Sequence, residues 1–128
     1  MHLLLDTHAL LWFIEGDRRL KPAVRAAFED GENRLFVSLA TLWEIGIKQA
    51  QGRLYLPADG LDFILNFLHT WSMDLLPIRV DHLRAASILP FHHGDPFDRM
   101  LVAQANVEGL SLVSNDGKVR LYEVTIFW

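Results

Sequence analysis

The sequence predicts an α/β protein: a three-layer α/β/α sandwich with a mostly parallel central sheet. The main observation is that short apolar runs alternate with segments of helical periodicity. Because a right-handed crossover joins each pair of parallel strands, helices are expected on both faces of the sheet. The chain has 128 residues, 51% of them hydrophobic, and no repeat or interdomain linker. These features favour a single domain over residues 1–128.

The chain begins with a predicted strand and two predicted helices. Leu3–Leu5 is a short apolar run, typical of a buried strand. Asp6 or Thr7 can then cap a helix over Ala9–Ile14. A second helix is predicted over Pro22–Phe28, because proline suits the first turn of a helix.

The middle of the chain predicts one more strand and two more helices. Leu35–Val37 is the second apolar strand, and Thr41–Ala50 has helical spacing. The next helix, Leu61–Trp71, is apolar on two sides. One stripe comprises Leu61, Ile64, Leu65 and Leu68, and the other Phe63, Phe67 and Trp71. Either the helix is deeply buried, or its second stripe faces a partner surface.

The last part of the chain continues the alternation. Leu75–Ile78 predicts a third strand and Asp81–Leu89 a helix. The stretch Asp95–Ala105 begins with a cap and a proline and then has helical apolar spacing, so it predicts another helix. Leu110–Val113 predicts the fourth strand. The loose alternation of Val119–Trp128 predicts a fifth strand at a sheet edge.

Composition and charge limit the classes of function. The chain has no cysteine, no apolar run long enough to span a membrane and no signal-peptide pattern at its start, so a cytoplasmic protein is expected. Its net charge of −4 has the wrong sign for binding nucleic acid by bulk electrostatics. If four of the sixteen acids lie in one metal site, the other twelve balance the twelve Lys and Arg residues.

Four acids are candidates for a common site. Asp6 follows the first strand, Asp116 follows the fourth, and Glu44 and Asp98 lie near helix starts. In open parallel sheets, ligand sites lie outside the carboxyl ends of the strands, where these acids are expected to meet. Each also has a purely structural interpretation. Asp6 and Asp98 suit helix starts, Glu44 fits a capping box from Thr41 or a pair with Lys48, and Asp116 fits a turn.

A cluster of carboxylates is unfavourable without a cation, because the like charges repel. Oxygen ligands without cysteine suit Mg²⁺ or Mn²⁺. Such a cation supports the attack of water on a phosphodiester.

Four segments in this order make the chain resemble PIN domains, and in particular the VapC-type toxins of bacterial type II toxin–antitoxin systems. The segments are Leu3–His8, Ser38–Ile45, His93–Ala105 and Ser114–Asp116. The resemblance covers essentially the whole chain and implies a Mg²⁺-dependent endoribonuclease. It places the metal and catalytic acids at Asp6, Glu44, Asp98 and Asp116, with Asp116 expected to act through water.

Several neighbouring residues have expected supporting roles. Thr7 or Ser114 is predicted to orient a ligand, and Asp95 to cap a helix. Arg99 either covers helix surface, which is favoured, or contacts RNA phosphate. His8 is expected to pack. The remaining candidates are the loop residues His92 and His93 near the mouth of the site, and Lys48 and Arg53 on an RNA-facing rim.

The resemblance also implies partners: a homodimer and a cognate antitoxin whose C-terminal segment covers the acids. The aromatic candidates for these contacts are Trp12, Phe13, Phe63, Phe67 and Trp71, about half of which are expected to lie in the core. Two other functions stay open. One is a Mg²⁺-dependent phosphatase on a flavodoxin-like sheet, with an aspartyl nucleophile; the other is a non-catalytic PIN-like module whose acids bind a partner's arginine.

Overall fold

A computed structural model describes residues 1–128 and has a five-stranded sheet at its centre. All neighbouring strands are parallel, and their order across the sheet is β3-β2-β1-β4-β5. The strands are β1 (His2–Leu5), β2 (Arg34–Ser38), β3 (Asp74–Leu76), β4 (Ser111–Val113) and β5 (Ile126–Phe127). The predicted α/β class and the parallel sheet are therefore confirmed.

Six α-helices connect the strands. They are α1 (Thr7–Glu15), α2 (Pro22–Glu29), α3 (Leu39–Ala50), α4 (Leu61–Thr70), α5 (Val80–Ser87) and α6 (Pro96–Glu108). All six were predicted from the sequence, with ends that differ by at most three residues. None is long and apolar enough to cross a bilayer.

Two apolar cores, one on each face of the sheet, produce the three layers. Side chains of a strand point alternately to opposite faces, so Leu3 and Leu5 enter one core and Leu4 the other. The core of Leu3 and Leu5 is completed by α1 to α4, and the core of Leu4 by α6 and the C-terminal segment. The predicted sandwich follows from this division.

The predicted fifth strand at a sheet edge is confirmed, but it is shorter than the stretch Val119–Trp128. It spans Ile126–Phe127 beside β4, and residues Val119–Leu121 form a 3-10 turn. The Asp116 carboxylate accepts hydrogen bonds from the backbone N–H groups of Lys118 and Val119, which stabilise the turn. Val119 and Tyr122 are then buried in the second core. The apparent alternation of the sequence therefore arises from a capped turn.

The predicted capping box at Thr41 is also wrong, because α3 begins two residues earlier. The Ser38 hydroxyl accepts a hydrogen bond from the Ala40 N–H and caps the helix. Thr41 and Glu44 are consequently inside the helix, and both side chains are buried. This shift turns Glu44 toward α1 and gives it a role in the site described below.

Helix α4 is not deeply buried. Ile64 and Leu68 are its only fully buried side chains, while Leu61 and Leu65 are 36% and 38% exposed. Of the predicted aromatic contacts, Phe13 is in the core, and Trp12, Phe63 and Phe67 pack against its edge. Trp71 is 38% exposed. An apolar strip of α4 is therefore left open at the surface.

Candidate active site

The carboxyl ends of β1 and β4 place two of the four predicted acids side by side. Asp6 follows β1 directly, and its backbone N–H donates to the Val113 carbonyl at the end of β4. Asp116 lies three residues beyond that strand. In the sheet, β1 has β2 on one side and β4 on the other, so the connections after β1 and before β4 run in opposite directions from β1. Open parallel sheets bind ligands at the carboxyl ends of the strands where the strand order reverses in this way.

Asp6 is 5% exposed and has a structural function as well as a chemical one. One of its carboxylate oxygens accepts the Ala9 N–H and caps α1. Burial raises the pKa of Asp6, and the nearby Asp116 adds to the rise, while the Ala9 hydrogen bond opposes it. The carboxylate is therefore held rigidly, in surroundings where a cation would stabilise its charged form.

Glu44 reaches the site from α3. Its Oε1 atom accepts a hydrogen bond from the Thr7 hydroxyl at 2.6 Å, and its Oε2 atom lies 2.8 Å from the Lys48 ammonium. Thr7 therefore positions an acid of the site, in line with its predicted supporting role. Lys48 is predicted to lie on an RNA-facing rim, but its ion pair with Glu44 ties it to the site.

Asp98 lies in the first turn of α6, behind the cap provided by Asp95. The Asp95 carboxylate accepts the N–H groups of Phe97 and Asp98, as its predicted capping role requires. Burial, followed by repulsion from Asp95 and Asp6, raises the pKa of Asp98 to about 7. Glu44 adds a smaller repulsion. Asp95, Asp6 and Glu44 are thus close enough to affect the charge of Asp98.

The pKa of Asp98 gives a testable effect on stability in the metal-free protein. Its folded pKa is above its ordinary value of 3.8, so its contribution to stability is complete below about pH 4 and is lost as the pH rises toward 7. Asp98→Asn removes this loss. We therefore expect the variant to become more stable relative to the native protein as the pH rises from 4 to 8. The difference in the free energy of unfolding should grow by on the order of 2 kcal/mol.

Urea unfolding across this pH range, with a chelator present, measures the difference. Asp62→Asn is the matched control, because Asp62 is also a first-turn acid but is exposed on α4. The control should show no such trend. A difference between Asp98→Asn and the native protein that stays constant with pH would show that repulsion at Asp98 has been overestimated.

His93 extends further into the site than the sequence indicated. Its Nε2 atom lies 2.9 Å from Asp98 Oδ2 and 3.9 Å from Asp116 Oδ2. These three side chains can present ligand atoms within 4.8 Å of one another. His92 is not part of this group, and its ring packs edge-to-face against Tyr122. The only sequence signal for His93 is its position five residues before Asp98.

Arg99 neither covers the surface nor faces RNA, so the favoured prediction for it is wrong. Its side chain is buried, and its guanidinium donates to the carbonyls of Pro90, Ala86 and Leu89. It also donates to the Tyr122 hydroxyl, which accepts the His93 N–H in turn. Arg99 therefore fixes the loop that carries His93.

Three further predictions concern the edge of the site. Ser114 is fully buried, and its hydroxyl accepts the Asp116 N–H, which orients that acid as expected of a supporting residue. His8 is exposed and stacks on Trp12, contrary to the expectation that it packs into the protein. Arg53 is exposed, as predicted for a rim residue, and contacts Gln51.

The donor set fits a hard divalent cation. His93, Asp98 and Asp116 present ligand atoms to one point, and Asp6 and Glu44 are near enough to act on the charge of Asp98. Burial first, and repulsion from neighbouring carboxylates second, raises the pKa values of Asp6 and Asp98. A cation among them would relieve that repulsion. Carboxylate oxygens suit Mg²⁺ and Mn²⁺, and the neighbouring imidazole of His93 suits Mn²⁺ better than Mg²⁺.

The fold and site define a class: an α/β/α protein with an acidic site at the carboxyl edge of a parallel sheet. Within that class, the chain belongs to the PIN domain family, whose model matches residues 3–125. The chain is similar to Ribonuclease VapC22 of Mycobacterium tuberculosis, with 28% identity over 120 residues that cover 92% of this chain and 89% of the relative.

Solved structures agree on the fold. VapBC2 from Rickettsia felis, bound to a DNA fragment from its promoter, matches with a TM-score of 0.72 and 13% identity over 98% of this chain and 96% of that chain. VapBC-1 from nontypeable Haemophilus influenzae matches with a TM-score of 0.71 and 17% identity over 99% and 97%. A toxin–antitoxin complex from Klebsiella pneumoniae matches with a TM-score of 0.65 and 19% identity over 98% and 96%. At these identities the three structures support the fold alone.

Proposed function

We propose that the protein is a metal-dependent endoribonuclease that acts as the toxin of a type II toxin–antitoxin pair. The observation that carries the proposal is an acidic cluster at one sheet edge of a PIN-family chain. Asp98 and Asp116 flank His93, and the charges of Asp6 and Glu44 act on Asp98. The similarity to a protein named as a ribonuclease supports RNA as the substrate. Mg²⁺ is the expected cation, with Mn²⁺ as the alternative.

In this proposal Asp6 and Asp98 hold the cation directly. Glu44, kept in place by Thr7 and Lys48, completes the negative site, and Asp116 acts through a water molecule. A bound divalent cation lowers the pKa of coordinated water and neutralises charge on the phosphate oxygens. The protein's part is to fix the carboxylates beforehand, through the α1 cap at Asp6 and the loop that Arg99 secures.

The phosphatase alternative requires Asp6 as a nucleophile that is free to attack phosphorus. Its carboxylate is instead 5% exposed and already accepts the Ala9 N–H. The geometry therefore favours a metal ligand over a nucleophile. The binding-module alternative uses the same acids and differs only in that RNA stays intact, so it is an outcome of the test below.

The test is RNA cleavage by the purified protein, free of antitoxin. We expect structured RNAs to be cut with Mg²⁺ or Mn²⁺, cleavage to stop with a chelator, and activity to return when excess cation is added. The folded state is monitored throughout by circular dichroism. Intact RNA over a panel of transfer, ribosomal and messenger substrates, with metal present and the protein folded, would support the binding module instead.

We propose a cognate antitoxin as the protein partner, on the basis of the toxin–antitoxin structures that share the fold. The exposed apolar side chains of Leu61 and Leu65 on α4, and of Trp71 just after it, are each more than a third exposed and provide a surface for it. Homodimerisation stays a prediction of the family resemblance.

A further inference from the structure

A groove begins at the acidic site and continues past α1 toward the end of α3. Its first part is a cleft of about 300 Å³ lined by Asp6, His8, Trp12, Arg19, Asn115 and Asp116. Its second part is a cleft of about 210 Å³ that shares His8, Trp12 and Arg19 and adds Glu15, Lys48 and Arg53, among others. Because these three residues line both clefts, the clefts adjoin along α1, and we name the two together the Trp12 groove.

Flat side chains line the shared part of the Trp12 groove. The rings of His8 and Trp12 are stacked, with centroids 5.6 Å apart and planes 21° from parallel. The guanidinium carbon of Arg19 lies 5.0 Å from the centre of the Trp12 ring. Aromatic and guanidinium surfaces of this kind stack on bases without regard to sequence.

Acids and cations are distributed unevenly along the Trp12 groove. The carboxylates of Asp6 and Asp116 lie at one end, Lys48 and Arg53 lie at the other with one acid, Glu15, and Arg19 lines both parts. Lys48 is paired with Glu44, so Arg19 and Arg53 are the cations offered to a ligand. The Arg19 side chain is 67% exposed, although it also pairs with Asp17. Cations gathered along this groove are notable in a chain of net charge −4, and a phosphate backbone is complementary to them.

We propose that the Trp12 groove binds a single-stranded stretch of RNA that leads away from the cleaved phosphodiester. A base stacks beside His8 and Trp12, and Arg19 and Arg53 contact the phosphates. The inference rests on the proposed function, since it takes the acidic site as the place of cleavage. Single-stranded RNA is favoured over duplex because only unpaired bases expose faces for stacking.

The test compares Arg19→Gln and Trp12→Leu with a closely matched control, Arg34→Gln. The Arg34 side chain is 61% exposed, lies 2.7 Å from Asp74 and is 5.1 Å from the Phe36 ring centre, but it is at the start of β2, at the opposite edge of the sheet. Binding of a fluorescent single-stranded RNA is measured by anisotropy. All variants carry Asp98→Asn, so that cleavage does not interfere.

We expect Arg19→Gln to weaken binding about three- to tenfold and to reduce the slope of log K against log salt by about 0.7, the effect of one lost phosphate contact on a single strand. Trp12→Leu should weaken single-stranded binding about tenfold and leave duplex binding unchanged. Arg34→Gln should match the parent. Arg19 is exposed, so its variant decides the question even if Trp12→Leu fails to fold.

Unchanged affinity and salt slope in Arg19→Gln would overturn the proposal. So would a loss of binding to a poly-glutamate peptide with RNA binding intact, because the occupant would then be an acidic protein segment. The two proposals fail separately. If the native protein cuts RNA and Arg19→Gln binds normally, only the groove assignment is wrong. If the native protein cuts no RNA while the binding losses appear, only the nuclease assignment is wrong.

Discussion

Asp98→Asn is expected to abolish RNA cleavage, with a loss of at least about 10³-fold in kcat/KM. Asparagine keeps the shape and the helix position but cannot supply the negative charge that a divalent cation needs at this point. The same change removes a carboxylate that Asp95 and Asp6 repel, so the protein should remain folded and become more stable near neutral pH.

Cleavage assays at saturating Mg²⁺, combined with thermal melts, measure both effects on the same samples. Asp62→Asn is again the control, because it removes an exposed first-turn acid far from the four predicted ligands in sequence. Normal cleavage by Asp98→Asn would remove Asp98 from the proposed site. Loss of activity together with loss of folded structure would contradict the electrostatic argument.

Arg99→Ala should produce the largest loss of stability, about 3 kcal/mol in the free energy of unfolding. The substitution leaves the carbonyls of Pro90, Ala86 and Leu89 without their charged donor. It also removes the guanidinium that lies 4.1 Å from the centre of the Phe91 ring. Arg99→Lys should recover less than half of the loss, since an ammonium cannot reach the same acceptors from one position.

Urea denaturation gives these free energies directly. Arg84→Ala is the control: its side chain is 80% exposed on α5, and the expected change is below about 0.5 kcal/mol. Because Arg99 and Tyr122 secure the loop that bears His93, Arg99→Ala should also reduce cleavage in samples that remain folded. A change below 1 kcal/mol for Arg99→Ala would mean that water replaces the guanidinium at little cost.

The layers of the fold could be predicted from the sequence because local and tertiary signals agree. The apolar run at Leu3–Leu5 is buried on both faces, and Pro96 and Asp95 mark the start of α6. Agreement was weaker where a side chain competes with the backbone pattern. At Asp116, a carboxylate that caps a turn ends the first part of the alternating stretch Val119–Trp128 in a 3-10 turn, and the strand is confined to Ile126–Phe127.

The nearness of Asp6 and Asp116 could be predicted because topology alone places the ends of β1 and β4 together. The contributions of His93 and Arg99 could not, since both depend on how the loop after α5 folds back on the site. Arg99 is a buried cation with no carboxylate partner, satisfied by carbonyls of a loop whose path has no periodic signal. Sequence spacing carries no information on such contacts.

The claim that the four acids form a catalytic cation site is tested most directly by anomalous diffraction from crystals grown with Mn²⁺. We expect an anomalous peak within about 2.5 Å of carboxylate oxygens of Asp6 and Asp98, with Asp116 linked through water. The peak should be absent from crystals of Asp98→Asn. No peak at this edge of the sheet in the native protein, or a peak only on other acids, would mean that the four acids do not form the proposed cation site.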